Sequence, residues 1–149
     1  YKKEWGISAN DEEWLICDRD NNNFKSTQYD KFVMLANTTP NFHFIVSNPA
    51  FQLWLLLHYT AEIPTSEIEG FGKCKQRIEY IEKFLKTKYT GKYDHGSIDW
   101  DIYKPHVRKA IDNSQQYAEY TMETLKDKTG THFFKLLEYI EKKVGKDIF

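Results

Sequence analysis

Between Glu13 and Cys17 the chain is apolar, and at Asp18-Arg19-Asp20-Asn21-Asn22-Asn23 it turns abruptly polar. A short apolar run that stops at turn residues predicts a β-strand over Glu13 to Cys17 and a loop over Asp18 to Asn23. From Ser26 to Asn37, Tyr29, Phe32, Val33 and Ala36 recur at helical spacing, and Thr38-Thr39-Pro40-Asn41 ends that helix. Phe42 to Ser47 is continuously apolar and β-branched, the pattern of a strand covered on both faces. A strand, a helix and a second strand in this order predict parallel pairing.

Asn48-Pro49 interrupts the second strand, and Pro49 suits the first position of a helix over Ala50 to Tyr59. That segment is apolar nearly all round, so its helix is expected to be buried, with Trp54 in the core among leucines. Ala61 to Phe71 reads as a loop with room for a short helical turn. Three more helices follow by period, over Cys74 to Lys86, Pro105 to Leu125 and Thr131 to Val144, with Gly130 and Gly145 bracketing the last. The predicted fold class is therefore α/β: a parallel sheet flanked by helices, with a helical C-terminal section. The α/β core is assigned to residues 1–60 and the helical section to 61–149, packed on the core as part of the same domain.

Length permits one domain with a real core and is short for two. With 22 acids against 21 bases there is no global field for nucleic acid or an anionic membrane, so any phosphate contact must come from local basic residues. Such residues cluster at Lys73, Lys75, Arg77, Lys83, Lys86 and Lys88 and again at His106, Arg108 and Lys109, but interleaved acids make a solvated face the simpler reading. Cys17 and Cys74 have neither CxxC spacing nor companions, which argues against a zinc site or a disulfide framework and fits a reducing cytoplasm. The longest apolar run, Leu53 to Leu57, is far below spanning length, so no membrane is expected. A start at Tyr1, followed by Lys-Lys-Glu-Trp, reads as that of a fragment or a processed chain.

Chemistry concentrates where the first strand ends. The period of two sends Asp18 and Asp20 to one side, at the edge where open α/β sheets bind ligands. Adjacent carboxylates repel, so an ion such as Mg²⁺ between them would stabilise the pair; the alternative is a polar turn in which both acids bond their own backbone. Ser47, Asn48 and Gln52 leave the second strand at the same edge. Gln52 and His58, roughly 600° of helical rotation apart, do not share a face, and Gln52 is the nearer to the acids. For His58 a hydrogen bond to a carbonyl is the simpler reading. Asp99 and Asp101 read as charge at the start of the long helix.

Two stretches, Trp14-Leu15-Ile16-Cys17-Asp18-Arg19-Asp20 and Ser47-Asn48-Pro49-Ala50-Phe51-Gln52-Leu53-Trp54-Leu55-Leu56-Leu57-His58, resemble the signature motifs of the RloB-like family, whose members carry a Toprim domain. Gly130-Thr131-His132-Phe133-Phe134-Lys135-Leu136-Leu137 is similar, more weakly, to the start of that family's C-terminal helix; the likeness runs from about Glu13 to Ile140. The resemblance implies a Toprim-like parallel sheet and Mg²⁺ or Mn²⁺ held by Asp18 and Asp20. It also implies cleavage of DNA or RNA in bacterial antiphage or abortive-infection defence, beside an ABC-like or AAA-like ATPase. Asp18, Asp20 and Gln52 take the catalytic positions, Ser47, Asn48 and Arg19 the substrate contacts, and self-association into a homo-oligomer is compatible with it. The chain departs from the family in two ways: the strand and glutamate that normally precede the first motif are not seen, and Gln52 stands where the family usually has Glu.

Two other functions are compatible with the residues. A non-catalytic interaction module that docks to an ATPase is favoured by the amide at Gln52, which carries no charge to hold a cation. A haloacid-dehalogenase-type phosphatase would use Asp18 as nucleophile, Asp20 as acid and base and Ser47 for phosphate; it needs a later acidic pair after a strand, and Asp99-Trp100-Asp101 follows a poor one.

Overall fold

The computed structural model describes residues 8, 10–19 and 25–145. Its architecture is α/β. Strands β1 (Glu13–Asp18) and β2 (Phe42–Asn48) pair in parallel around helix α1 (Ser26–Thr38), with Trp14 opposite His43 and Asp18 opposite Ser47. The crossover helix makes parallel pairing possible, as the order of elements predicts.

To the predicted parallel pair the structure adds an antiparallel edge, so the sheet is mixed. A third strand, β3 (Gly130–Thr131), pairs antiparallel with the end of β2, Thr131 opposite Ser47 and Gly130 opposite Asn48. Two residues carry no period, so this strand was absorbed into the predicted start of the last helix, α7, which begins two residues later (Phe133–Val144). The fit at Gly130 is close: a Cβ there would lie 2.8 Å from the Leu125 side chain and 3.1 Å from the Tyr117 ring. Gly130→Ala is accordingly expected to lower stability by about 2 kcal/mol through overpacking, read from the midpoint of urea unfolding.

Alternation along the strands divides the core. Leu15, Cys17, Phe44 and Val46 face Tyr29 of α1 and Leu125 of α6 (Met122–Asp127). On the other face Trp14 stacks on His43 at 4.1 Å and meets Tyr139 of α7. The larger apolar cluster is built around α2 (Gln52–Leu57), every residue of which is buried. Around it pack α3 (Thr65–Gly70), α4 (Cys74–Leu85), α5 (Val107–Ser114) and α7, so the segment after residue 60 shares its core with the helix that leaves β2. Leu53, Leu55, Leu56 and Leu57 are wholly enclosed, each worth roughly 1.5–3 kcal/mol of burial.

Two predicted helices change shape. The helix expected from Ala50 starts at Gln52, because the chain turns through Asn48-Pro49-Ala50-Phe51 before it. The long helix expected from Pro105 to Leu125 is broken: 3₁₀ turns at Lys104–His106 and Gln115–Tyr117 flank α5, and α6 starts afresh at Thr121, whose hydroxyl accepts the Thr124 N–H at 3.1 Å. A threonine that satisfies an orphan N–H favours a new helix start at that point. A π-helical turn, Lys86–Thr90, extends α4 and ends at Gly91, φ 67°. No described helix is long and apolar enough to cross a membrane.

Candidate functional site

Asp18 closes β1, and the Asn48–Phe51 turn brings the backbone back across the end of the sheet beside it. The Phe51 N–H donates to Asp18 Oδ1 at 2.8 Å. An exposed carboxylate is thus fixed at the C-terminal end of a parallel strand, beside the Asn-Pro corner, where the motifs place it. Asp20, its expected partner, lies outside the described residues. Among the described residues no group of three or more His, Cys, Asp or Glu is placed to hold a metal ion.

The three residues read as substrate contacts are all buried. Ser47 and Thr131 hydroxyls bond each other at 2.7 Å, and the Asn48 amide donates to the Leu125 carbonyl at 2.9 Å. Arg19 reaches the opposite way from Asp18: Nε donates to the Lys126 carbonyl, Nη2 to Ser26 Oγ, and the guanidinium lies over the Tyr29 ring. Together these contacts tie this end of the sheet to α1, α6 and β3.

Gln52, one residue beyond the amide that binds Asp18, opens onto a group that the sequence did not single out. Its Nε2 lies 3.0 Å from Glu82 Oε1 on α4 and 3.0 Å from His95 Nδ1, and those two atoms are 2.9 Å apart. Gln52 Oε1 is buried without a hydrogen-bond partner. Tyr93 stands beside the group; burial, then the negative charges of Glu82, Asp18 and Asp94, raise its hydroxyl pKa, against the opposing influence of the Gln52 amide. A cleft of about 490 Å³ opens next to Tyr93, with Lys86, Lys92 and Asp99 among its walls.

A family model, that of RloB-like proteins, matches residues 2–140. The chain belongs to the RloB-like family. No curated protein and no solved structure matches it. Within this RloB-like chain, both quoted motifs meet at one place, since Asp18 ends the first and Phe51 and Gln52 lie in the second.

The remaining candidates are held elsewhere. His58 Nδ1 bonds the Trp54 carbonyl at 3.0 Å, and burial lowers the pKa of its ring to about 4. Asp99 accepts the Asp101 N–H and pairs with Lys92 on a single 3₁₀ turn, Trp100–Ile102, with no strand before it such as a phosphatase of the haloacid-dehalogenase type would need. Among the basic residues, Lys75 pairs with Glu79, Arg77 donates to the Phe71 carbonyl, and Arg108 grips Glu141 with two guanidinium nitrogens. Cys74 Sγ–H donates to the Arg19 carbonyl at 3.8 Å, and the pKa of the Cys17 thiol is raised by burial and by the Asp18 charge.

Proposed function

We propose that this RloB-like chain is a metal-dependent domain of the Toprim type that cleaves nucleic-acid phosphodiesters, serving bacterial antiphage defence beside an ATPase. The observation that carries the reading is the Asp18 carboxylate, held by the Phe51 N–H at the end of β1 beside the Asn48-Pro49 corner. Mg²⁺ takes one or two protein carboxylates and keeps the rest of its sphere for water and phosphate, so an exposed Asp18 suits it, with Asp20 as the second acid. When bound, such an ion supplies charge stabilisation to a phosphoryl oxygen. The chain's own residues position and screen: the Phe51 N–H orients Asp18, and the anchored Arg19 fixes the strand end that carries it. Lys86, in the wall of the neighbouring cleft, brings positive charge for an anionic strand.

With Mg²⁺ or Mn²⁺ and plasmid DNA or single-stranded RNA as substrates, Asp18→Ala is expected to lower metal-stimulated cleavage by about 10²-fold or more. Cleavage by the variant at the wild-type rate would overturn the reading. One observation favours a non-catalytic module instead, the neutral amide of Gln52 where a carboxylate is usual in the family. No Mg²⁺ or Mn²⁺ heat in calorimetry, together with recovery of an ATPase in a pull-down, would favour that module.

A further inference from the structure

Trp100, on the 3₁₀ turn Trp100–Ile102, is 51 % exposed. Its indole lies 6.2 Å from the Phe51 ring and 6.1 Å from that of Tyr103, edge-to-face with both. Phe51 is the residue whose N–H holds Asp18, and Tyr103 belongs to the wall of the cleft of about 490 Å³. The indole therefore bridges the two. Tyr93 joins them a second time, since it lines the cleft and lies near enough to Asp18 to feel its charge.

Inside the cleft the charges are unevenly committed. Lys92 and Asp99 pair at 3.0 Å, and Asp94 Oδ1 accepts the Gly96 N–H at 2.9 Å. Lys86, on the π-helical turn, makes no ion pair among the described residues. That leaves one cation for an anionic group, the Asp94 carboxylate to accept further N–H donors, and Ile98 and Ile102 as apolar surface. A nucleotide has the matching parts: a phosphate, N–H donors on the base edge and a flat ring. The volume equals a cube roughly 8 Å on an edge, within the range of small-molecule sites and too small for a base pair.

We propose, resting on the nuclease reading for the kind of polymer, that the cleft and Trp100 form a seat for single-stranded nucleic acid. One unpaired nucleotide enters the cleft with its phosphate on Lys86, and the neighbouring base, on the side toward Asp18, stacks on the indole. The substrate is thereby narrowed to unpaired strands. Stacking on a side chain needs an open base face, which a base inside a duplex does not offer. Every base has such a face, so the seat tolerates any sequence.

Fluorescence anisotropy of a labelled strand of about 12 nucleotides, in EDTA so that nothing is cut, measures binding against a duplex of the same sequence and against free mononucleotide. The wild type is expected to bind the strand at least about tenfold tighter than the duplex. Trp100→Ala should weaken strand binding roughly five- to 150-fold, the loss of one stacking contact, while Trp100→Phe keeps most of the affinity. Lys86→Gln should weaken it too and flatten the slope of log affinity against log salt by about 0.7. Both side chains are exposed, so neither change empties the core. Absence of strand binding, equal affinity for strand and duplex, wild-type affinity in Trp100→Ala, an unchanged salt slope in Lys86→Gln, or displacement of the strand by an equal concentration of mononucleotide would each overturn the seat. If strand binding behaves as expected while no metal supports cutting, the seat stands and the cleavage reading falls; metal-dependent cutting of duplex DNA without these strand effects does the reverse.

Discussion

Acidifying the solution from about pH 7.5 to about pH 4.5 is expected to remove on the order of 5 kcal/mol of folding stability from this protein. Two buried histidines are the cause. His58 and His132 are each 1 % exposed, and burial, the largest influence on both, lowers their ring pKa values to about 4. For His132 the charge of Lys135 adds to the effect and the Tyr120 and Tyr117 backbones oppose it; for His58 the Trp54 carbonyl opposes it. The unfolded chain takes up a proton on each ring near pH 6.5, while the folded chain resists until about pH 4. Between those values the unfolded state binds more protons, so stability is complete above the upper value and falls as pH drops toward the lower one. Glu12, half-buried, and Asp99, exposed, whose pKa values are lowered first by hydrogen bonds to His43 and Lys92, act in the same direction at lower pH. Urea unfolding at both pH values is the measurement. The double variant His58→Asn, His132→Asn, which cannot titrate, should flatten the difference. Equal wild-type stability at the two pH values would contradict neutral burial of these rings.

Trp54→Ala is expected to cost about 3–5 kcal/mol, the range for deleting a large aromatic from a packed interior. Trp54 is 2 % exposed, with the Phe133 ring 5.1 Å and the His58 ring 5.3 Å from its own. Nothing small can replace the indole without a void bounded by α2 and α7. Guanidinium unfolding followed by circular dichroism gives the value; a loss below about 1 kcal/mol would mean that the neighbours collapse into the space. Near-ultraviolet circular dichroism of the variant at room temperature separates a loosened core from a chain that no longer folds.

The elements legible from the chain were those whose pattern is long or whose ends are marked. β1, α1 and β2 lie within a residue of the spans read from period and punctuation. The position of Asp18 at the corner beyond β2 was legible for the same reason, since a parallel strand pair fixes which ends lie together. β3 was not, because two residues have no period and their pairing depends on contacts more than 80 positions away. The break between α5 and α6 carried a local sign, Thr121 as a cap, but apolar spacing continues across it and masks the interruption. Glu82 and His95 escaped notice for different reasons. Glu82 sits among the charges of a half-exposed helix, and His95 lies in an aperiodic stretch whose approach to Gln52 only the tertiary fold creates.

The staples that finish the sheet are distant in the chain: Arg19 to Lys126 across 107 positions, Ser47 to Thr131 across 84 and Asn48 to Leu125 across 77. Closing such loops costs entropy before any contact compensates it, which places this corner among the last regions to become rigid as the molecule folds. During synthesis, β1 and β2 leave the ribosome well before β3, so the acid-bearing rim must wait until the chain has been made past Thr131. Any chemistry there is withheld from half-made chains by topology alone.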